Sequence, residues 1–306
     1  MSGTKAGFLM GATLMNRGRW MLTLLLLVLP SASIHAQQRY AASGLVLSVD
    51  RSRQTMVVSC QEIPGFMDTM VMSFAVPDAK SLDPLTRGAV IEFTLIVNKD
   101  SSHAENVRVR RYDSAEREPS KARRLQSFDE ALRGPLHQLA VGQAVPDFTL
   151  TDQQKRAIHF RQFAGKVVAL NFVYTRCALP EYCFRSSNNF GVLQKRFQDR
   201  LGKDLILLTV TFDPVRDQPE VLRNYARTWK ADPENWRFLT GPAPDVQRVC
   251  DWFGVNFVPD EGLFVHSLHT VIVARDGKLI ANLEGNEFTA QQFADLLETV
   301  LDPARN

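Results

Sequence analysis

The chain has 306 residues, with 36 Lys plus Arg against 33 Asp plus Glu, 45% apolar residues and 9% aromatics. That composition excludes a disordered, collagen-like or polytopic membrane protein, and the even charge excludes a nucleic-acid binder that works through bulk field. The formal charge of +3 arises in residues 1–36, where Lys5, Arg17 and Arg19 stand without an acid, so the remainder is balanced at 33 of each sign.

In chain order, Arg17 and Arg19 precede an apolar run from Trp20 to Leu29, then Pro30, small residues and Ala36. This is the pattern of a secretory signal over residues 1–36, cleaved after Ala36. The run falls short of the ~20 apolar residues of a membrane span, although Phe8–Met15 keeps an uncleaved inner-membrane anchor open. Met15 is an alternative start, and no Cys lies in the segment to take a lipid. Export to the periplasm is the expectation. An oxidising compartment makes the four cysteines, Cys60, Cys177, Cys183 and Cys250, candidates for disulfides or reactive thiols.

From Gly44 to Tyr112, five β-rich runs follow one another: Leu45–Val49, Thr55–Cys60, Val71–Val76, Val90–Val97 and Asn106–Tyr112. They predict a small five-stranded β barrel over residues 40–112. Residues 113–138 turn polar and basic, with a helix predicted over Ser127–Arg133, and read as a linker. From 139 to 303 strands alternate with helices, the pattern of an α/β domain with a mixed or parallel sheet. The predicted strands are Lys166–Tyr174, Leu205–Phe212, Thr270–Ala274 and Leu279–Leu283. Helices are predicted over Phe184–Leu201, Pro219–Trp229, Asp245–Phe253 and Thr289–Leu301.

Chemistry is expected where a strand hands over to a helix, because backbone N–H groups there favour anions. Cys177 lies just after the strand that ends in Tyr174, and Cys183 lies near the start of the next helix with Pro180 between them. Both thiols are expected to have lowered pKa values. Their spacing suits a small-loop disulfide or two ligands on one metal, and the residues alone leave that choice open.

Four segments carry a resemblance: Asn171–Cys183 (NFVYTRCALPEYC), Thr211–Pro219 (TFDPVRDQP), Trp236–Gly241 (WRFLTG) and His266–Thr270 (HSLHT). In this order they resemble the Sco/SenC family of thioredoxin-fold copper proteins that assist cytochrome c oxidase assembly. The resemblance implies copper ligands at Cys177, Cys183 and His266, with five residues between the cysteines where most members have three. It also implies that the same pair can close as a redox-active disulfide. His269 falls where thioredoxins carry a cis-proline and is expected to line the site rather than ligate. Asp213 and Asp217 flank it, as loop and helix caps or as support for the ligands. Two thiolates and an imidazole suit copper in either oxidation state, whereas zinc usually takes a fourth ligand. Cys250 reads as a buried helix residue, and His103, His137 and His159 as solvated.

In the first domain, Met70 and Met72 alternate with Val71 and so share one face of a strand, as core residues or as a soft thioether pair. The stretch Ile63–Met72 (IPGFMDTMVM) resembles CusF-like periplasmic copper-binding barrels, an OB-type fold that holds Cu(I) through a His and two Met. Here Cys60 stands in place of the histidine, which implies a second copper site of Cys60, Met70 and Met72, with Phe66 and Met67 near the family's aromatic cap. Together the resemblances imply a copper metallochaperone that loads a thiol-rich acceptor such as the CuA site of cytochrome c oxidase. The rival reading is a thiol-disulfide reductase acting on periplasmic thiol-disulfide partners. Copper sequestration would rest on the barrel alone. The peroxiredoxin pattern is missing, because Leu170 and Tyr174 stand where it needs Pro and Thr.

Overall fold

The computed structural model describes residues 37–99, 101–110, 138–177 and 180–303. The expected signal segment and nearly all of the linker, including its Ser127–Arg133 helix, lie outside these residues. Among the described residues no helix is long and apolar enough to cross a membrane.

The first sheet comprises β1 (Gln38–Asp50), β2 (Thr55–Cys60), β3 (Met70–Ala75), β4 (Val90–Val97) and β5 (Ser102–Val109). It closes on itself in the order β1-β2-β3-β5-β4. β1 starts seven residues before the predicted Leu45, because its first half pairs with β4 and its second half with β2. The first half, Gln38–Ser43, is polar and small and carries no hydrophobic signal. Gly44 lies where β1 passes from one partner to the other, and a Cβ there would come within 2.5 Å of Val58 Cγ1 and 2.6 Å of the Ser59 carbonyl. Between β3 and β5 closure rests on a single pair, Ala75 with His103. The interior holds Met56, Val58, Cys60, Phe74, Ile91, Phe93 and Leu95.

The second sheet contains β6 (Thr149–Asp152), β7 (Ala157–His159), β8 (Val167–Val173), β9 (Leu205–Thr211), β10 (Trp236–Thr240), β13 (His269–Val273) and β14 (Leu279–Glu284). A separate hairpin is made by β11 (Phe257–Asp260) and β12 (Leu263–His266). The order β14-β13-β8-β9-β10-β6-β7 is mixed: β8, β9 and β10 are parallel, and the other pairings are antiparallel. β8 and β9 are buried at every position, as strands covered on both faces must be. The helices are α1 (Arg185–Arg196), α2 (Pro219–Thr228), α3 (Ala243–Trp252) and α4 (Ala290–Leu301). Val246, Val249 and Cys250 of α3 pack on one face with Val168, Leu170 and Phe172. Phe190 and Leu193 of α1 and Phe293 and Leu297 of α4 cover the other with Val167 and Ala169. The sequence reading missed β6, β7, β10, β11 and β12, all three to five residues long.

Among the described residues the two sheets are packed together within one compact unit. Leu45 and Leu47 of β1 enter the cluster that holds Phe293 and Leu297. At the seam Ser59 Oγ donates to Asp295 Oδ2 at 2.7 Å, and Gln292 Nε2 donates to the Ser59 carbonyl at 2.9 Å.

Candidate metal centre

From the end of β8 the chain runs through Tyr174, Thr175 and Arg176 to Cys177. Cys183 follows in a π-helical turn, Pro180–Phe184, in which Tyr182 is off-helix at φ −107°, ψ −109°. α1 therefore begins at Arg185, after both cysteines. The third group, His266, is the last residue of β12. The ligand atoms of Cys177, Cys183 and His266 all lie within 4.8 Å of one another. The structure thus brings together the three residues expected from the sequence, and among the described residues no other such cluster of His, Cys, Asp and Glu occurs.

The tautomer of His266 follows from its far side. Nδ1 sits 2.9 Å from the carbonyl of Ser267, which can only accept, so Nδ1 carries the proton. Nε2 keeps its lone pair and faces Cys183 Sγ at 3.9 Å. Such an outer hydrogen bond fixes the tautomer and the orientation of the ring. Tyr174, Tyr182 and Phe212 surround the imidazole with ring centroids 5.7, 5.9 and 4.8 Å away.

The expectation that both thiols are acidified is corrected for Cys183. Burial, and next the neighbouring Cys177, push its pKa well above the ordinary thiol value. Helix-terminal N–H groups favour a thiolate, but removing the sulfur from water outweighs them. Cys183 is buried while Cys177 is half-buried, so Cys177 is the more accessible of the two residues. Tyr174 beside them is pushed up to about 12 by burial, with Cys177 the second cause.

Behind Cys177, the buried Asp217 accepts from Thr175 N at 3.0 Å, Thr175 Oγ1 at 2.5 Å and Thr211 Oγ1 at 2.6 Å. Arg176 Nη2 donates to Asp213 Oδ2 at 3.1 Å. These aspartates hold the segment that delivers Cys177 and stand outside the ligand cluster. His269 lies outside it too. Its Nδ1 donates to Asn282 Oδ1 at 2.9 Å, and the orientation of that amide is fixed because Asn282 Nδ2 donates to the Phe253 carbonyl at 2.9 Å. Cys250 is buried in α3 as expected. His159 meets Thr149 Oγ1, whereas His103 is half-buried beside Glu105 rather than solvated; His137 lies outside the described residues.

In the first sheet, Cys60 is directly opposite Met70 and Val58 directly opposite Met72. Directly paired residues share a face, so Cys60, Met70 and Met72 lie on one side where β2 gives way to β3. Their exposure differs: Cys60 is 1% and Met70 46% exposed. Met67 and Met72 pack partly buried against the cluster that contains Cys60. Burial pushes the Cys60 thiol up to about 12, and its Sγ lies 3.8 Å from the Val58 carbonyl. Phe66 stacks on Tyr40 with centroids 3.9 Å apart.

Residues 138–302 match the family described as SCO1/SenC. A protein of Stutzerimonas stutzeri whose name calls it copper-binding is 29% identical over 141 residues, covering 44% of this chain and 67% of its own length. The SCO1 protein homolog of Bacillus subtilis is 25% identical over 149 residues, 47% of this chain and 76% of that protein. Among solved structures, Bradyrhizobium japonicum ScoI with copper bound superposes with a TM-score of 0.43 at 24% identity, covering 52% of this chain and 99% of that one. Yeast Sco1 with copper bound gives 0.44 at 24% identity, covering 52% and 87%. With the family match extending over more than half of its length and taking in Cys177, Cys183 and His266, the chain belongs to the SCO1/SenC family.

Proposed function

We propose that the chain is an exported, periplasmic copper metallochaperone that binds copper through Cys177, Cys183 and His266 and delivers it to a thiol-rich acceptor such as the CuA site of cytochrome c oxidase. The observation that carries this reading is the convergence of two sulfurs and an imidazole nitrogen whose lone pair faces them. Two soft sulfurs and one borderline nitrogen suit copper in either oxidation state. Family membership and the name of the Stutzerimonas stutzeri relative support the choice of metal.

Binding displaces the thiol protons, because only the thiolate ligates. The half-buried Cys177 gives an acceptor thiolate access to the cargo, and ligand exchange can proceed from that side while Cys183 and His266 still hold on. Closing the Cys177–Cys183 disulfide consumes both sulfur ligands, so oxidation blocks loading. The first sheet, read as a CusF-like OB barrel, adds a reserve Cu(I) site of Cys60, Met70 and Met72, all soft donors. Cys60 is protonated in the metal-free protein, so loading there must also release a proton.

Titrating the reduced protein with Cu(I) against a chelator tests this reading. Binding should reach one equivalent per site and should disappear from the main site when the disulfide is formed. Loss of the second equivalent in Cys60→Ser would support the reserve site. A reductase is favoured by one observation, the pairing of a half-buried Cys177 with a buried Cys183, which suits an attacking and a resolving thiol. Rapid catalytic reduction of insulin, together with failure to load copper, would select that reading.

A further inference from the structure

The loop between β14 and α4, residues 285–289, touches both halves of the metal centre and the first sheet. Gly285 N donates to the Leu268 carbonyl at 2.9 Å, two residues beyond His266. Asn286, buried at 8% exposure, donates from Nδ2 to the carbonyl of Glu181, which lies between the two cysteines. Arg185 Nη2 donates to the Phe288 carbonyl at 3.4 Å. On the other side Glu287 Oε2 meets Nε of Arg110, just beyond β5, at 2.8 Å. In the first turn of α4, Gln292 holds the carbonyl of Ser59, the residue before Cys60.

We propose that Asn286 is a positioning residue that holds the turn carrying Cys183 in its dithiol, metal-ready arrangement, and that the first sheet braces Asn286 through Arg110 and Glu287. The turn is irregular, with Tyr182 off-helix, and Asn286 anchors the carbonyl of Glu181 within it from a different element. In the arrangement described, the two sulfurs are thiols within 4.8 Å of each other. Disulfide formation passes two electrons and two protons from them to an external disulfide, which leaves as a dithiol (oxidised dithiothreitol in the test below), and draws the sulfurs together, which moves the segment that carries Glu181. An amide that grips this segment in the dithiol form therefore favours the dithiol, and its loss shifts the pair towards the disulfide.

The role of the loop in metal binding rests on the copper reading above, but its effect on the thiol pair does not. The test uses the mature full-length chain and compares wild type, Asn286→Ala, Asn286→Leu, which keeps the volume without the donor, and Arg110→Ala. Two quantities are read: Cu(I) affinity by chelator competition, and the Cys177–Cys183 redox equilibrium in dithiothreitol buffers. Both Asn286 variants should bind Cu(I) about five- to tenfold more weakly, in keeping with one lost hydrogen bond. Their redox equilibrium should shift by up to about tenfold towards the disulfide, about 30 mV more negative for a two-electron couple. Arg110→Ala should show a smaller shift in the same direction. If thermal stability falls while both site readouts match wild type, Asn286 is a structural residue only and the proposal is overturned. If wild type binds no copper yet the redox shift is present, the copper reading fails and the positioning role stands.

Discussion

His266 and His269 are three positions apart and have opposite roles because of what lies on the far side of each ring. His266 spends Nδ1 on a backbone carbonyl and offers Nε2 to the sulfurs, whereas His269 spends Nδ1 on Asn282 and is buried away from them. His266→Ala should therefore weaken copper binding by more than the 10- to 100-fold typical of losing an outer-shell partner, with the fold and the disulfide intact. Equal losses at His269→Ala in the same titration would contradict the assignment. His269 makes a different prediction, about pH. Burial pushes its pKa below the ordinary histidine value. The unfolded chain thus binds a proton that the folded chain refuses, and stability should fall as pH drops below about 6.5. His269→Asn should flatten that part of a stability-against-pH profile measured by denaturant unfolding; an unchanged slope would sink the idea. The sequence showed where His266 stands, but its tautomer depends on one carbonyl orientation that no residue pattern encodes.

The segment from β8 to α1 illustrates what local reasoning reaches and where it stops. An apolar strand, a Pro-containing loop and a following helix were all readable from Lys166 onward, because hydrophobic runs and Pro180 act through neighbours in sequence. The acidity of Cys183 was not readable, since it depends on burial in a core cluster whose members, such as Phe212, Val249 and Val271, come from distant parts of the chain. The same holds for Asp217, which looks like a cap in sequence but is buried beneath three donors. Asp217→Ala leaves those donors unsatisfied and should cost about 2–3 kcal/mol in chemical denaturation. It should also weaken copper binding, because Thr175 would no longer hold the chain leading to Cys177. Stability loss with wild-type affinity would show that the aspartate supports the fold alone.

Two sheets from separate stretches of sequence are built into one body. The clue lay in β1, where Leu45, Val46 and Leu47 are consecutively buried: Val46 points into the first sheet's interior, and its neighbours point into the core shared with α4. An unbroken apolar run fits a strand covered on both faces, but the covering partner is more than 200 residues away, and the polar stretch 113–138 reads as a spacer. The shared core predicts that the sheets unfold together. Calorimetry should show one transition, and Phe293→Ala should lower the stability of the whole by about 3–5 kcal/mol; two separate transitions would contradict the packing. The most direct test of the metal centre is X-ray absorption on the reduced, copper-loaded Cys60→Ser protein. The expected first shell is two sulfurs and one nitrogen, with the nitrogen lost in His266→Ala. A shell that keeps its nitrogen in that variant, or lacks the two sulfurs in the parent, would contradict the assignment of Cys177, Cys183 and His266.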